Sequence, residues 1–291
     1  MRMDIPIMSE DKMNNGYVIY EDEHIVCIIT GLVISSANKK TGAEVQVWIL
    51  YKDLNPVLSV NAGKDKYICG DCKHRGKVIP LHLARTLANT LPSAKKRNLI
   101  ERINKYDKLG IQSINIDRTC YVTVFQAPFN IWKTYKKGGY DKIEPHKLQK
   151  LLKDRVVRLG AYGDPAFIPL WFWDIILKEV EASTGYTHQW KVCNKRMAKY
   201  CMASVDTLEE KIEAKSLGYR TFRIKTIDDK LEQNEVGCLS DKIARQDKPL
   251  VSCVDCKMCG GLTSKVKSDI TIIIHGTKAN INPSHQVTEN D

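Results

Sequence analysis

Val156-Val157-Arg158-Leu159-Gly160-Ala161-Tyr162-Gly163-Asp164-Pro165 is the stretch that decides the fold. Residues 156–159 form a short apolar run that ends in turn-forming residues, which reads as a buried strand opening into a glycine-rich loop. Upstream, residues 145–154 have helical spacing with Pro145 in the first turn, where its missing N–H does no harm. Downstream the same grammar repeats. A helix is expected over 169–182, strands over 186–190 and 202–205, a helix over 207–217 stopped by Gly218, and strands over 221–224 and 270–274. Strand and helix in alternation predict an α/β protein with a full or partial β/α barrel-like parallel sheet.

The N-terminal part reads differently. Apolar runs at 17–20, 25–29 and 45–51, separated by the turn-rich stretch 35–42, predict a small antiparallel β element. Residues 93–109 have helical spacing at Leu99, Ile103 and Tyr106, with Ser93 as the expected N-cap and Gly110 as the stop, and residues 120–126 look strand-like. The expected organisation is an antiparallel opening over 1–64, a basic segment and β/α core over 65–236, a cysteine-rich loop with the final strand over 237–277, and a tail over 278–291.

Polar residues fall at the expected carboxyl ends of the strands, the face on which α/β folds bind ligands. Asp164, His188 and Arg223 are the candidate catalytic residues; Gly160, Gly163 and Asp206 are candidates for binding a cofactor. Each has a plainer reading: Asp206 as the N-cap of the helix that follows, His188 as a satisfied core histidine, and the glycines as shapers of a turn.

Ten cysteines are many for a chain with no signal-peptide core in its first residues, which points to a reducing, cytoplasmic setting and to metal ligation rather than disulfides. The most apolar window, 167–177, is too short to span a bilayer, so no membrane partner is expected. Cys238, Cys253, Cys256 and Cys259, backed by Gly260 and Gly261, have the spacing of a [4Fe–4S] site and are also compatible with Zn2+. Cys69, Cys72 and Cys120 form a second set. With His74 or His82 as a fourth ligand they would make a structural zinc site; without one they would leave a metal position open. Cys27, Cys193 and Cys201 are expected in the core.

Charge adds a partner. Residues 64–158 hold 22 Lys and Arg against 8 Asp and Glu, whereas the rest of the chain carries 23 against 26, so the net +11 is regional. Such a segment could neutralise several phosphates, with Trp132, Tyr135 and Tyr140 to stack on bases; solvated helix faces are the plainer alternative. Serine-hydrolase elbow, P-loop, zincin and zinc-deaminase motifs are missing from the sequence.

The blocks Cys69-Gly70-Asp71-Cys72, Cys120-Tyr121-Val122, 158–165, 184–190, 202–206, 218–223 and the closing cysteine run resemble an uncharacterised cysteine-rich protein family common in tailed bacteriophages. The resemblance spans most of the chain and implies a host-cytoplasm setting, with no activity attached. In layout, three cysteines before a β/α core are also similar to radical S-adenosylmethionine enzymes, which would make S-adenosylmethionine a cofactor; the C-x3-C-x2-C run of that family is absent. The expectation is a metal-dependent enzyme, with iron–sulfur favoured over zinc and a radical-type enzyme as one version, acting on nucleic acid or a nucleotide-like substrate. The alternatives are a non-enzymatic, zinc-stabilised nucleic-acid-binding protein and a replication-associated nuclease.

Overall fold

The computed structural model describes residues 13–35, 38–241 and 251–274. Its frame is a nine-stranded sheet built from β1 (Gly16–Glu21), β2 (Ile25–Thr30), β3 (Val45–Tyr51), β6 (Val156–Tyr162), β7 (Ala182–Thr187), β8 (Met202–Val205), β9 (Thr221–Lys225), β11 (Asp269–Ile273) and β10 (Glu235–Gly237), in that spatial order. The first three strands pair antiparallel. From β3 onward every pairing is parallel. The antiparallel opening thus continues into the parallel sheet through β3 and β6.

Strands β6 to β9 are laid down in one direction, with the helices Leu170–Ile176 and Leu208–Ser216 between them. Right-handed crossovers laid down this way put successive helices on one face and curl the sheet away from them. The sheet is nevertheless open. β1 and β10 lie at its two ends, and no pairing among the described residues joins them, so a full barrel is not formed.

The main core lies between β2, β3 and β6 and the helix Leu170–Ile176, whose Phe172, Trp173 and Ile176 are fully buried. Trp173 secures its indole N–H on the Pro165 carbonyl at 3.0 Å. Several sequence expectations shift at their edges. The helix expected over 169–182 stops at Ile176. The strand expected over 186–190 is Ala182–Thr187, so Thr187 ends it and His188 begins the loop. Residues 120–126 form no strand, because this segment packs Val122 and Val124 on the core without a ladder partner.

A second unit interrupts the chain between Cys72 and Cys120. β4 (Lys77–Pro80) and β5 (Ser113–Ile116) pair antiparallel, and between them stand the helices Leu81–Asn89 and Ser93–Lys108. The longer helix buries Leu99, Ile103 and Tyr106, one stripe at helical spacing, against Leu81, Ala84, Ala88 and Ile114. Pro92, not Ser93, is its N-cap. This insertion has its own small core. Asn61 fastens it to the body through Tyr106 Oη (3.0 Å) and the Asn115 N–H (3.3 Å).

The glycines after β6 explain the turn. Gly163 has φ +80°, and a Cβ there would lie 2.6 Å from the Ile49 carbonyl oxygen; Gly160, at φ +69°, would meet the Gly163 carbonyl at 2.5 Å. What presses on them is β3 and their own turn. Among the described residues, no helix is long and apolar enough to cross a membrane.

Gly163→Ala is expected to lower stability by about 1–3 kcal/mol, from a strained φ and a backbone clash. Gly218→Ala, also at positive φ but with open space around it, should cost about 1 kcal/mol. Chemical denaturation of both variants checks this, and equal losses would mean the close approach to Ile49 carries no weight.

Candidate metal centre and its surroundings

The loop after the short helix Lys66–Cys69 lies across the carboxyl ends of β6 and β7. The Asp164 N–H donates to the Ile68 carbonyl at 2.7 Å, and Gln189 Nε2 donates to the Cys69 carbonyl at 3.0 Å. Gly70 is required here, because a Cβ would lie 2.4 Å from the Gln189 side-chain oxygen at φ +53°. On the other side Asp65, buried, pairs with Arg75 at 2.7 Å, and Arg75 also donates to the Gly70 carbonyl at 2.7 Å. Cys69 and Cys72 are thereby fixed at the strand ends.

Cys120 reaches the same place from the far side of the insertion. The N–H groups of Thr119 and Cys120 both donate to the His74 carbonyl, at 3.2 and 3.0 Å. Asn115 Nδ2 donates to the Arg75 carbonyl at 2.8 Å. The ladder of β4 and β5 closes the loop behind them. The thiols of Cys69 and Cys72 feel this crowding. Burial, then the charges of Cys120, Asp65 and Cys72, push the Cys69 thiol well above its ordinary value. Burial also pushes Cys72 up to about 12, with Cys120, Asp164 and Asp206 adding to it against a hydrogen bond from the His74 backbone. Such thiols stay protonated until a cation compensates them.

Beside the thiols lies a charged cluster. Asp206, at the end of β8, has Lys73 Nζ at 2.8 Å and His74 Nε2 at 3.0 Å. Burial works against its ionisation, but His74 and Lys73 outweigh burial and bring its carboxyl down to about 2. The expected capping role belongs instead to Thr207, whose hydroxyl accepts from the Glu210 N–H. His74 Nδ1 lies 2.8 Å from Thr119 Oγ1. The ring of His188 meets that of His74 edge-on at 5.5 Å. Burial, then the neighbouring His74, lowers His188 to about 4, and its Nε2 is shut off from solvent with no hydrogen-bond partner among the described residues. His82, the other expected ligand, lies exposed on the inserted hairpin.

Asp164 has a holding role. It accepts from the N–H groups of Ala166 (3.0 Å) and His188 (2.7 Å), while burial raises its carboxyl to about 6. Arg223 is committed elsewhere, in a two-point pair with Glu235 at 2.9 and 2.7 Å that Lys211 joins at 3.1 Å. The site thus brings together Cys69, Cys72, Cys120, Asp164, His188 and Asp206, while Arg223 sits in a separate buried ion pair.

The C-terminal cysteines form a second group. Cys253–Cys256 is one helical turn capped by Ser252, followed by Lys257 in the left-handed region at φ +53°. The Cys259 carbonyl accepts from the Gly185 N–H at 3.1 Å, in the part of β7 that β8 leaves unpaired. Gly260 lets the loop close on the Ser183 carbonyl, where a Cβ would lie 2.8 Å away. Arg220 donates to the carbonyls of Met258, Gly260 and Ser268, tying the loop to the start of β9. Cys238 follows β10 and donates its N–H to the Thr271 carbonyl at 2.8 Å. Burial raises Cys259 strongly; Tyr186 opposes, and Cys238, Cys253 and Cys256 raise it further, so Cys259 lies within the field of the other three thiols. All ten cysteines are free. Among the described residues, no three His, Cys, Asp or Glu side chains stand close enough together to hold one metal ion.

Comparison with protein-family models, with curated proteins and with solved structures finds no match. The reading of the site therefore rests on its chemistry.

His74, named from the sequence only as a possible fourth ligand, is the hub of the site through its carbonyl and both ring nitrogens. One feature escaped the sequence reading, Arg158 on β6, whose guanidinium donates to Tyr121 Oη at 3.4 Å and whose charge is favoured by Tyr121, Tyr186, Glu44 and Cys253, in that order, against burial. It links the surroundings of both cysteine groups.

Arg223 and Glu235 yield a prediction about stability. Burial opposes ionisation of Glu235, but the hydrogen bonds from Arg223, the Glu232 backbone and Lys211 hold it down at about 2. Its folded value lies below its ordinary 4.5, so its contribution is complete above about pH 4.5 and is lost as the pH falls through 2. Glu235→Gln leaves Arg223 buried without its counter-charge and should cost about 3–5 kcal/mol. It should also flatten the acid limb of stability between those pH values. An unchanged denaturation midpoint would contradict this.

Proposed function

We propose that the protein is a metal-dependent enzyme whose reactive centre is held by Cys69, Cys72 and Cys120, with nucleic acid or a nucleotide-like molecule as substrate. The observation that carries the reading is the convergence of three thiols, Asp206, His74 and His188 at the carboxyl ends of one parallel sheet, although 73–119 separate Cys72 from Cys120.

The donor set fits a metal in kind. Three soft thiols, two of them raised by burial, are the ligands that a thiophilic cation stabilises on deprotonation. A cluster would take each thiolate on a different iron, whereas a zinc ion would draw every sulfur to about 2.3 Å. A cluster held by three thiolates leaves one iron free for a further ligand, which gives S-adenosylmethionine its place as candidate cofactor.

Around that centre the chain's own residues have separable tasks. Asp164 fixes the backbone of His188, and Asp206 orients His74 and keeps Lys73 charged. His188, neutral with an unpartnered Nε2, is suited to accept a proton or a hydrogen bond from a bound molecule. Arg223, Gly160 and Gly163 serve the fold. The Cys238, Cys253, Cys256 and Cys259 group is proposed as a second, structural or electron-transfer centre.

A second reading, a non-enzymatic zinc-stapled nucleic-acid-binding protein, is favoured by the way Arg220 and Gly185 lash the C-terminal loop to the sheet, as structural staples are lashed.

Anaerobic purification with iron, sulfide and zinc analysis separates the two. The enzyme reading predicts a brown protein with several irons and sulfides per chain. It also predicts that Cys72→Ser with Cys120→Ser removes one centre and leaves the other. A colourless protein with about two zincs per chain would sink the iron–sulfur assignment.

A further inference from the structure

We infer that Tyr121 and Phe125 form a stacking platform for the unpaired bases of a single-stranded polynucleotide, whose phosphates run along the basic face of the inserted hairpin. This rests on the nucleic-acid reading above and gives it a surface and a strand state.

Trp132, Tyr135 and Tyr140, the aromatics suggested by sequence, are not available for stacking. Trp132 donates its indole N–H to the Lys52 carbonyl at 3.1 Å, Tyr135 donates to Glu21 at 3.1 Å, and all three pack against the main core. Tyr121 and Phe125 are instead 65% and 68% exposed. Their segment follows Cys120 directly and is held from below. Val122 and Val124 are turned into the core, and Arg118 donates to the carbonyls of Cys120 and Val122, each at 3.1 Å. Arg158 reaches the Tyr121 hydroxyl from β6. Two large rings are thus presented outward from a braced backbone beside the thiol site, where a flexible loop would have folded them in.

Charge names the occupant. Cys120 is also where the inserted hairpin ends, and over 77–116 that hairpin carries eight Lys and Arg against Glu101 and Asp107. Arg85 pairs with Asp107, whereas Lys95, Lys96, Arg97, Lys105 and Lys108 stand exposed. Exposed cations suit phosphates, and exposed ring faces suit bases of any sequence once they are unstacked. A duplex would satisfy the cations and leave the rings idle. An acidic polypeptide would do the same.

The test is fluorescence anisotropy of the full chain with a labelled single-stranded oligonucleotide, its abasic counterpart, the matching duplex and poly-glutamate, over a salt series. Tyr121→Ala with Phe125→Ala should weaken binding to the base-bearing strand about tenfold or more, with the salt slope and abasic binding unchanged. Tyr121→Phe with Phe125→Tyr should restore it. Lys95→Ala, Lys96→Ala and Arg97→Ala together should lower the salt slope instead. Equal affinity for abasic and base-bearing strands, preference for duplex or poly-glutamate, or an unaffected double-alanine variant of intact stability would each overturn the platform while leaving nucleic-acid binding in place. No binding to any oligonucleotide at low salt would overturn both the platform and the nucleic-acid reading beneath it.

Discussion

The carbonyl of His74, accepting from the N–H groups of Thr119 and Cys120, is the contact on which the candidate centre depends. Backed by the β4 and β5 ladder and by Asn115 on the Arg75 carbonyl, it sets Cys120 beside Cys69 and Cys72. Forty-seven residues, 73–119, lie in between. Closing a loop of that length instead of three residues takes about four doublings, or roughly 2–3 kcal/mol of chain entropy. The insertion offsets that cost with its own core around Leu99, Ile103 and Tyr106, and with the β4 and β5 ladder that brings its ends together. An insertion with its own core is a tolerable spacer between Cys72 and Cys120.

The same economy governs the rest of the sheet. β6 to β9 run in one direction, so the loops after β6, β7 and β8 gather at one end, and the short helix Lys66–Cys69 is drawn over them by Asp164 and Gln189. Where β8 parts from β7, the Cys253–Cys259 loop takes over the vacant Gly185 N–H. Arg158, half-buried on β6, is a cation whose charge is favoured by Tyr121, Tyr186, Glu44 and Cys253. Both groups therefore belong to one framework.

Much of this framework was legible in the sequence. The apolar runs of β1, β2, β3, β6, β8 and β9, the alternation with helices, and the polar residues at strand ends follow from periodicity and turn chemistry, which are local. What was not legible was set by distant partners. Residues 120–126 have strand composition but no ladder to join. Trp132 and Tyr135 sit among lysines, yet they face inward because Lys52 and Glu21 await their polar tips. Arg223 occurs at a strand position that could face a site, but Glu235, twelve residues on, claims it. The glycines at 160 and 163 signalled a close approach correctly; that the approaching group is the Ile49 carbonyl could be learned only from the pairing of β3 with β6. The phage-family and radical-enzyme resemblances rest on short motifs, and the comparisons match neither.

Thiol proximity is the most direct measure of the central claim. The reduced, metal-stripped protein, treated with a short bifunctional thiol reagent and mapped by peptide mass spectrometry, should yield a cross-link between Cys120 and Cys72 or Cys69. The same link should disappear when the protein is denatured before treatment. Links confined to the Cys69 and Cys72 pair, with Cys120 modified singly in the folded protein, would contradict the closure at His74 and the three-thiol centre built upon it.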